Sequence, residues 1–182
     1  KYISKYAHTI DGLIVCGSPS KNNASKLGLK VVKLLKSIKG ERYRSEFVKK
    51  LMFGGFDKKG SEPNSWVCHN KEILKLYNED ELCKYTYTLN GYENIIKLMI
   101  DIYNPKIYNR NNLDLPIYFI AGNDDPVIKS KKDFNEAINF LKKIGYHNID
   151  NTLYDDMSHE ILNEINNNLV YDDILNWLNK II

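Results

Sequence analysis

Two short stretches late in the chain carry residue types that could move a proton in concert. Leu115-Pro-Ile-Tyr-Phe-Ile-Ala-Gly-Asn-Asp-Asp-Pro-Val127 is an apolar run that ends in acids, and Tyr154-Asp-Asp-Met-Ser-His-Glu-Ile-Leu162 holds a single His in a turn. An acid at the C-terminal end of a parallel strand sits where open sheets place functional groups. There it can accept the Nδ1–H of an imidazole, fix its tautomer, and stabilise the imidazolium formed when Nε2 takes a proton from a hydroxyl. Asp125 is the candidate acid and Asp124 its near competitor, although Asn-Asp-Asp-Pro is also simply turn-forming. His159 is the candidate base. His8 falls at a helix end, His69 in a polar stretch, and His147 in a Gly-Tyr-His-Asn turn.

A relay of this kind needs a nucleophile earlier in the chain. No G-x-S-x-G occurs in these residues. Ser18 has the right order but is followed by Pro19, which lacks the backbone N–H that an oxyanion hole would need. Cys16 reads as an inward strand residue with no tight turn around it. Neither is accepted as the nucleophile.

The elements that must position the pair follow from periodicity. Residues 1–9 read as a helix tail, 12–16 as a buried strand, and Gly17–Asn23 as a breaker cluster. Leu27, Val31, Leu34, Leu35 and Ile38 recur at helical spacing, with Gly40 as a stop. Residues 41–53 read as helix and 54–63 as loop, with further helices over about 70–77, 79–87 and 91–103. Strands at 115–121 and 149–154 alternate with helices at 131–144, closed by Gly145, and at 168–181. This alternation implies parallel βαβ units and an α/β class. Three strands form a poor sheet alone, so further strands are expected upstream of Lys1.

Length and composition set outer bounds. The 182 residues suffice for a domain with a core, and no apolar run is long enough to span a bilayer. Cys16, Cys68 and Cys83 form neither a disulfide framework nor a zinc pattern, which suggests reduced thiols and a cytoplasmic setting. The net charge of +3 gives no reason to expect a nucleic-acid partner. Residues 21–60 are nonetheless rich in Lys, either as a solvated helix face or as a transient contact with a lipid surface.

Several of these stretches together resemble one known family. Ile10–Ser18, Leu27–Phe56, Trp66, Asp80–Gly91, Leu115–Val127 and Met157–Glu164 are similar to the C-terminal part of bacterial α/β-hydrolases of the lysophospholipase or monoacylglycerol lipase type, related to the serine aminopeptidase group. The resemblance implies a hydrolase core at 1–19 and 113–182, with a helical cap at 20–112 inserted into a mostly parallel sheet. It implies that Asp125 and His159 are the acid and the base. The N-terminal strands and the nucleophile elbow would lie in an N-terminal half preceding Lys1, and the isolated 182 residues would then be inactive. It further implies acyl transfer on a lipid or small ester through a Ser-His-Asp relay, with no cofactor and no metal. Val127, Ile128, Leu34 and Phe53 are the expected acyl contacts. An esterase, thioesterase or peptidase of the same fold is the nearest alternative, and a binding module without chemistry is the other.

Overall fold

The computed structural model describes residues 1–57 and 59–181. Ile3–Tyr6 (α1) and a 3-10 turn at Ala7–Thr9 lead into Leu13–Cys16 (β1). Before the next strand, Ile117–Gly122 (β2), the chain is helical: Ser25–Lys39 (α2), Glu46–Phe53 (α3), Lys71–Glu79 (α4) and Leu89–Asp101 (α5). Lys131–Ile144 (α6), Ile149–Tyr154 (β3) and Asn167–Ile181 (α7) complete the order.

The sheet runs β1-β2-β3 and is wholly parallel, with Leu13 opposite Ile117 and Ile117 opposite Ile149. Every residue of the central strand β2 is buried, as parallel strands covered on both faces require. Successive side chains point to opposite faces. Ile117, Phe119 and Ala121 meet Phe134, Ile138 and Leu141 of α6. Tyr118 and Ile120 meet Val170 and Trp177 of α7, where the Tyr118 and Trp177 rings stack at 5.6 Å. Helices thus cover both faces of β2, and β1 and β3 flank it.

The helical segment has its own small core of Val32, Val48, Leu89, Tyr92 and Ile96. Beside it Glu93, 5% exposed, pairs at 2.6 Å with both Lys36 and Lys97. These two ammonium groups hold its carboxyl down at about 2. Leu27, Leu34, Ile38, Phe47 and Leu51 are exposed. Among the described residues no helix is long and apolar enough to cross a membrane.

Two expected helices are corrected. The one expected over 41–53 starts only at Glu46, where Ser45 accepts the Val48 N–H. The stretch before it bridges across to Thr88 through Arg44, and the Leu89 N–H donates to the Tyr43 carbonyl at 2.9 Å. Residues 80–87 are likewise not helical: α4 stops at Glu79, and the rings of Tyr85 and Tyr87 meet edge-on at 5.4 Å. Neighbours two apart do not face each other on a helix. Cys16 is also corrected, since it is exposed at the strand end, and all three cysteines are free. The loop expected at 54–63 contains turns, with Lys58 outside the described residues.

Candidate active site

Asp125 lies in the turn after β2 and is 2% exposed. Its Oδ1 accepts the Val127 N–H at 2.8 Å, which leaves Oδ2 to meet His159 Nδ1 at 2.9 Å. The carboxylate is therefore held on one side by backbone and aimed at the ring with the other. Nδ1–H donating to Asp125 fixes the tautomer in which Nε2 can accept a proton. The imidazole is about a third exposed, and the Trp66 ring of the helical segment lies 5.3 Å from it. Asp124, the competitor, points elsewhere: its carboxylate lies 3.7 Å from His69 Nε2, and its N–H donates to the Met157 carbonyl.

Two glycines that sequence reasoning did not single out make this geometry possible. Gly17, with φ +52, passes directly beneath the imidazole. A Cβ there would stand 3.1 Å from two ring atoms of His159 and 3.4 Å from Asp125 Oδ2. Gly122 lies under the His loop, and a Cβ on it would overlap the carbonyl oxygens of Met157 and Ser158. The only available signal was a Gly inside or just after a strand, which marks close backbone approach.

A cavity of about 610 Å³ opens between the helical segment and the acid loop. Its walls include Leu27, Val31, Phe53, Phe56, Met99 and Val127, and they are mostly apolar. The size suits a small organic ligand. Val127 is two residues past Asp125, and edge-on ring contacts run Phe53 to Phe56 to Trp66 before Trp66 meets His159. The cavity and the Asp125–His159 pair are thus neighbours.

Of the four expected acyl contacts, Val127 and Phe53 line this cavity. Ile128 does not: it is 1% exposed and belongs to the sheet-core cluster that also holds Phe134. Nor does Leu34, which is 63% exposed, because the part of α2 that lines the cavity ends at Val31. Ser18 borders a different, smaller cavity bounded by Ile3, Tyr103 and Phe140. The Cys16 thiol is pushed up by partial desolvation and by the Asp125 charge, which disfavours the thiolate a cysteine nucleophile requires.

A family model described as serine aminopeptidase, S33, matches residues 1–166. The chain belongs to that family. No curated protein sequence is significantly similar to it. Among solved structures, the S33 chain superposes on a thermostable carboxyl esterase from Bacillus coagulans in complex with glycerol, with a TM-score of 0.87 and 22% identity over 99% of this chain and 60% of that one. It is similar to a lipase in an open form, with a TM-score of 0.77 and 20% identity over 98% and 60% of the two chains. A soluble variant of monoglyceride lipase from Saccharomyces cerevisiae with a substrate analog gives a TM-score of 0.70 and 18% identity over 100% and 60%. The α/β-hydrolase fold is shared throughout, and the S33 chain spans about 60% of the length of each of these structures.

Proposed function

We propose that these residues supply the acid, the base and the acyl pocket of a serine hydrolase that cleaves carboxylic esters of lipids, in the manner of a lysophospholipase or monoacylglycerol lipase. The observation that carries this reading is the 2.9 Å contact between buried Asp125 and His159 beside a large apolar cavity. In the proposed reaction His159 Nε2 takes the proton of a Ser hydroxyl, and that oxygen attacks the ester carbonyl. The same proton then passes to the departing alcohol, and water later frees the carboxylic acid from the acyl-enzyme. The Ser would come from an N-terminal half of the same protein. The helical segment 20–112 would act as the cap, with Phe53 and Val127 against the acyl chain. Lys26, Lys30 and Lys33 near its exposed leucines would favour transient contact with a lipid surface.

The test is a substrate panel on the intact polypeptide: a monoacylglycerol, lysophosphatidylcholine, a short nitrophenyl ester and an aminoacyl anilide. The expected result is turnover of the lipid esters, with kcat falling about 10⁴-fold in Asp125→Asn, since the amide disfavours the productive tautomer of His159. Cleavage of the anilide without cleavage of esters would overturn the lipid-ester reading in favour of a peptidase.

A further inference from the structure

Glu164 follows the 3-10 turn Ile161–Asn163 and is buried at 2% exposure. Its Oε1 accepts the N–H of Ser158, the residue before His159, at 2.7 Å. Its Oε2 accepts the backbone N–H of His69 at 3.0 Å, and His69 Nδ1 lies 3.2 Å from Oε1 and 3.1 Å from the Asp156 carbonyl. A carboxylate this deeply buried is costly to desolvate and is tolerated only where its hydrogen bonds are well satisfied. Here those bonds join two segments more than ninety residues apart.

The same two segments run side by side. The Trp66 carbonyl accepts from the Ser158 hydroxyl and, at 3.4 Å, from the His159 N–H. The Val67 carbonyl accepts the Glu160 N–H at 2.7 Å. Residues 66–67 therefore hold the backbone of 158–160, and Glu164 closes the junction at His69. From the outer side of that junction His69 Nε2 faces Asp124, whose own N–H is bound to Met157 in the His loop.

We propose that Glu164 is a positioning residue that locks the helical segment at Trp66–His69 onto the loop carrying His159, so that seating of the cap and aim of the imidazole are a single variable. This rests on the reading of His159 as the general base. If residues 66–69 lift away, Glu164 loses its His69 partners and the His159 N–H loses the Trp66 carbonyl. The ring is then free to turn from Asp125. A displacement of about 1 Å at a reacting group costs on the order of 100-fold in rate.

The test uses the intact polypeptide and two readouts: kcat and KM on a short nitrophenyl ester, and the low-field proton resonance of His159 Nδ1–H held by Asp125. Glu164→Ala is expected to lower kcat about 100-fold and Glu164→Gln about 10-fold, with KM nearly constant and the low-field resonance broadened in both. His69→Ala is expected to give a smaller loss of the same kind, and its combination with Glu164→Gln less than the product of the two. Glu136→Gln, an exposed carboxylate on α6, serves as the control. Variants that melt like the parent and keep both kcat and the resonance overturn the proposal, as does a rise in KM with kcat unchanged. If Glu164→Ala does not fold, Glu164→Gln and His69→Ala decide. A parent that turns over no ester overturns the hydrolase reading, and the resonance then decides the role of Glu164 alone.

Discussion

The sheet and the helical segment are held together on opposite terms. Around β2 the interior is apolar on both faces, and Asp125 sits just past the end of a strand whose six residues are all buried. The helical segment buries a smaller cluster, pairs Glu93 with two lysines, and leaves Leu27, Leu34 and Phe47 in solvent. Fixed geometry therefore resides where packing tolerates no change. The shape of the cavity resides where the chain is lightly packed and charge contributes to the hold. The two tryptophans report on these regions separately, with Trp177 in the sheet core and Trp66 at the joint between the two.

The most severe way to break the contrast is Gly122→Ala. The added methyl would overlap two backbone carbonyls of the His loop, and backbone cannot yield as a flexible side chain can. A loss of about 3 kcal/mol or more is expected in chemical denaturation, at the upper end of overpacking costs. A paired truncation sharpens the contrast. Ile120→Ala in the sheet and Leu89→Ala in the helical segment each remove a fully buried aliphatic side chain, for about 3 kcal/mol apiece. Ile120→Ala should shift the Trp177 transition, whereas Leu89→Ala should shift Trp66 first and leave the near-UV signal of Trp177 in place. Coincident transitions in both variants would mean the two regions melt as one.

The smallest effect is a dependence on acid. Glu93 folded titrates at about 2, below the ordinary carboxylate value of 4.5, because Lys36 and Lys97 favour its charged form. The resulting stabilisation is complete above the ordinary value and fades as pH falls from about 4.5 toward 2. The Trp66 transition of the parent should weaken across that window more than that of Glu93→Gln, and equal slopes would show that the pair does not hold the helical segment.

What the sequence made legible was local. The helix at 131–144 was readable because Gly145 closes it, and the structure adds a Ser130 cap at its start. The strand at 149–154 was readable because turns bound it on both sides. The pairing of Asp125 with His159 was readable because each follows a strand, acid before His. What failed was non-local. Residues 41–45 and 80–87 gave up helix for an antiparallel bridge between Arg44 and Thr88, which no window of a dozen residues contains. His69 looked like one polar residue among many, since its partner Glu164 lies 95 positions away. Ile128 and Leu34 were misplaced for a subtler reason: apolar type gives burial or exposure only after the neighbouring element has taken its place.

The two strands that flank β2 carry different chemistries. β3 presents exposed Asp150 and Asn151, polar residues of the kind that discourage a further strand from adding. β1 is Leu13-Ile-Val-Cys16, uncharged along its length, and among the described residues it pairs only with β2. An uncharged strand with open N–H and C=O groups readily accepts a further strand, whereas polar side chains discourage one. Strands of the proposed N-terminal half would therefore join the sheet at β1, so the segment that brings the nucleophile would also cover this edge.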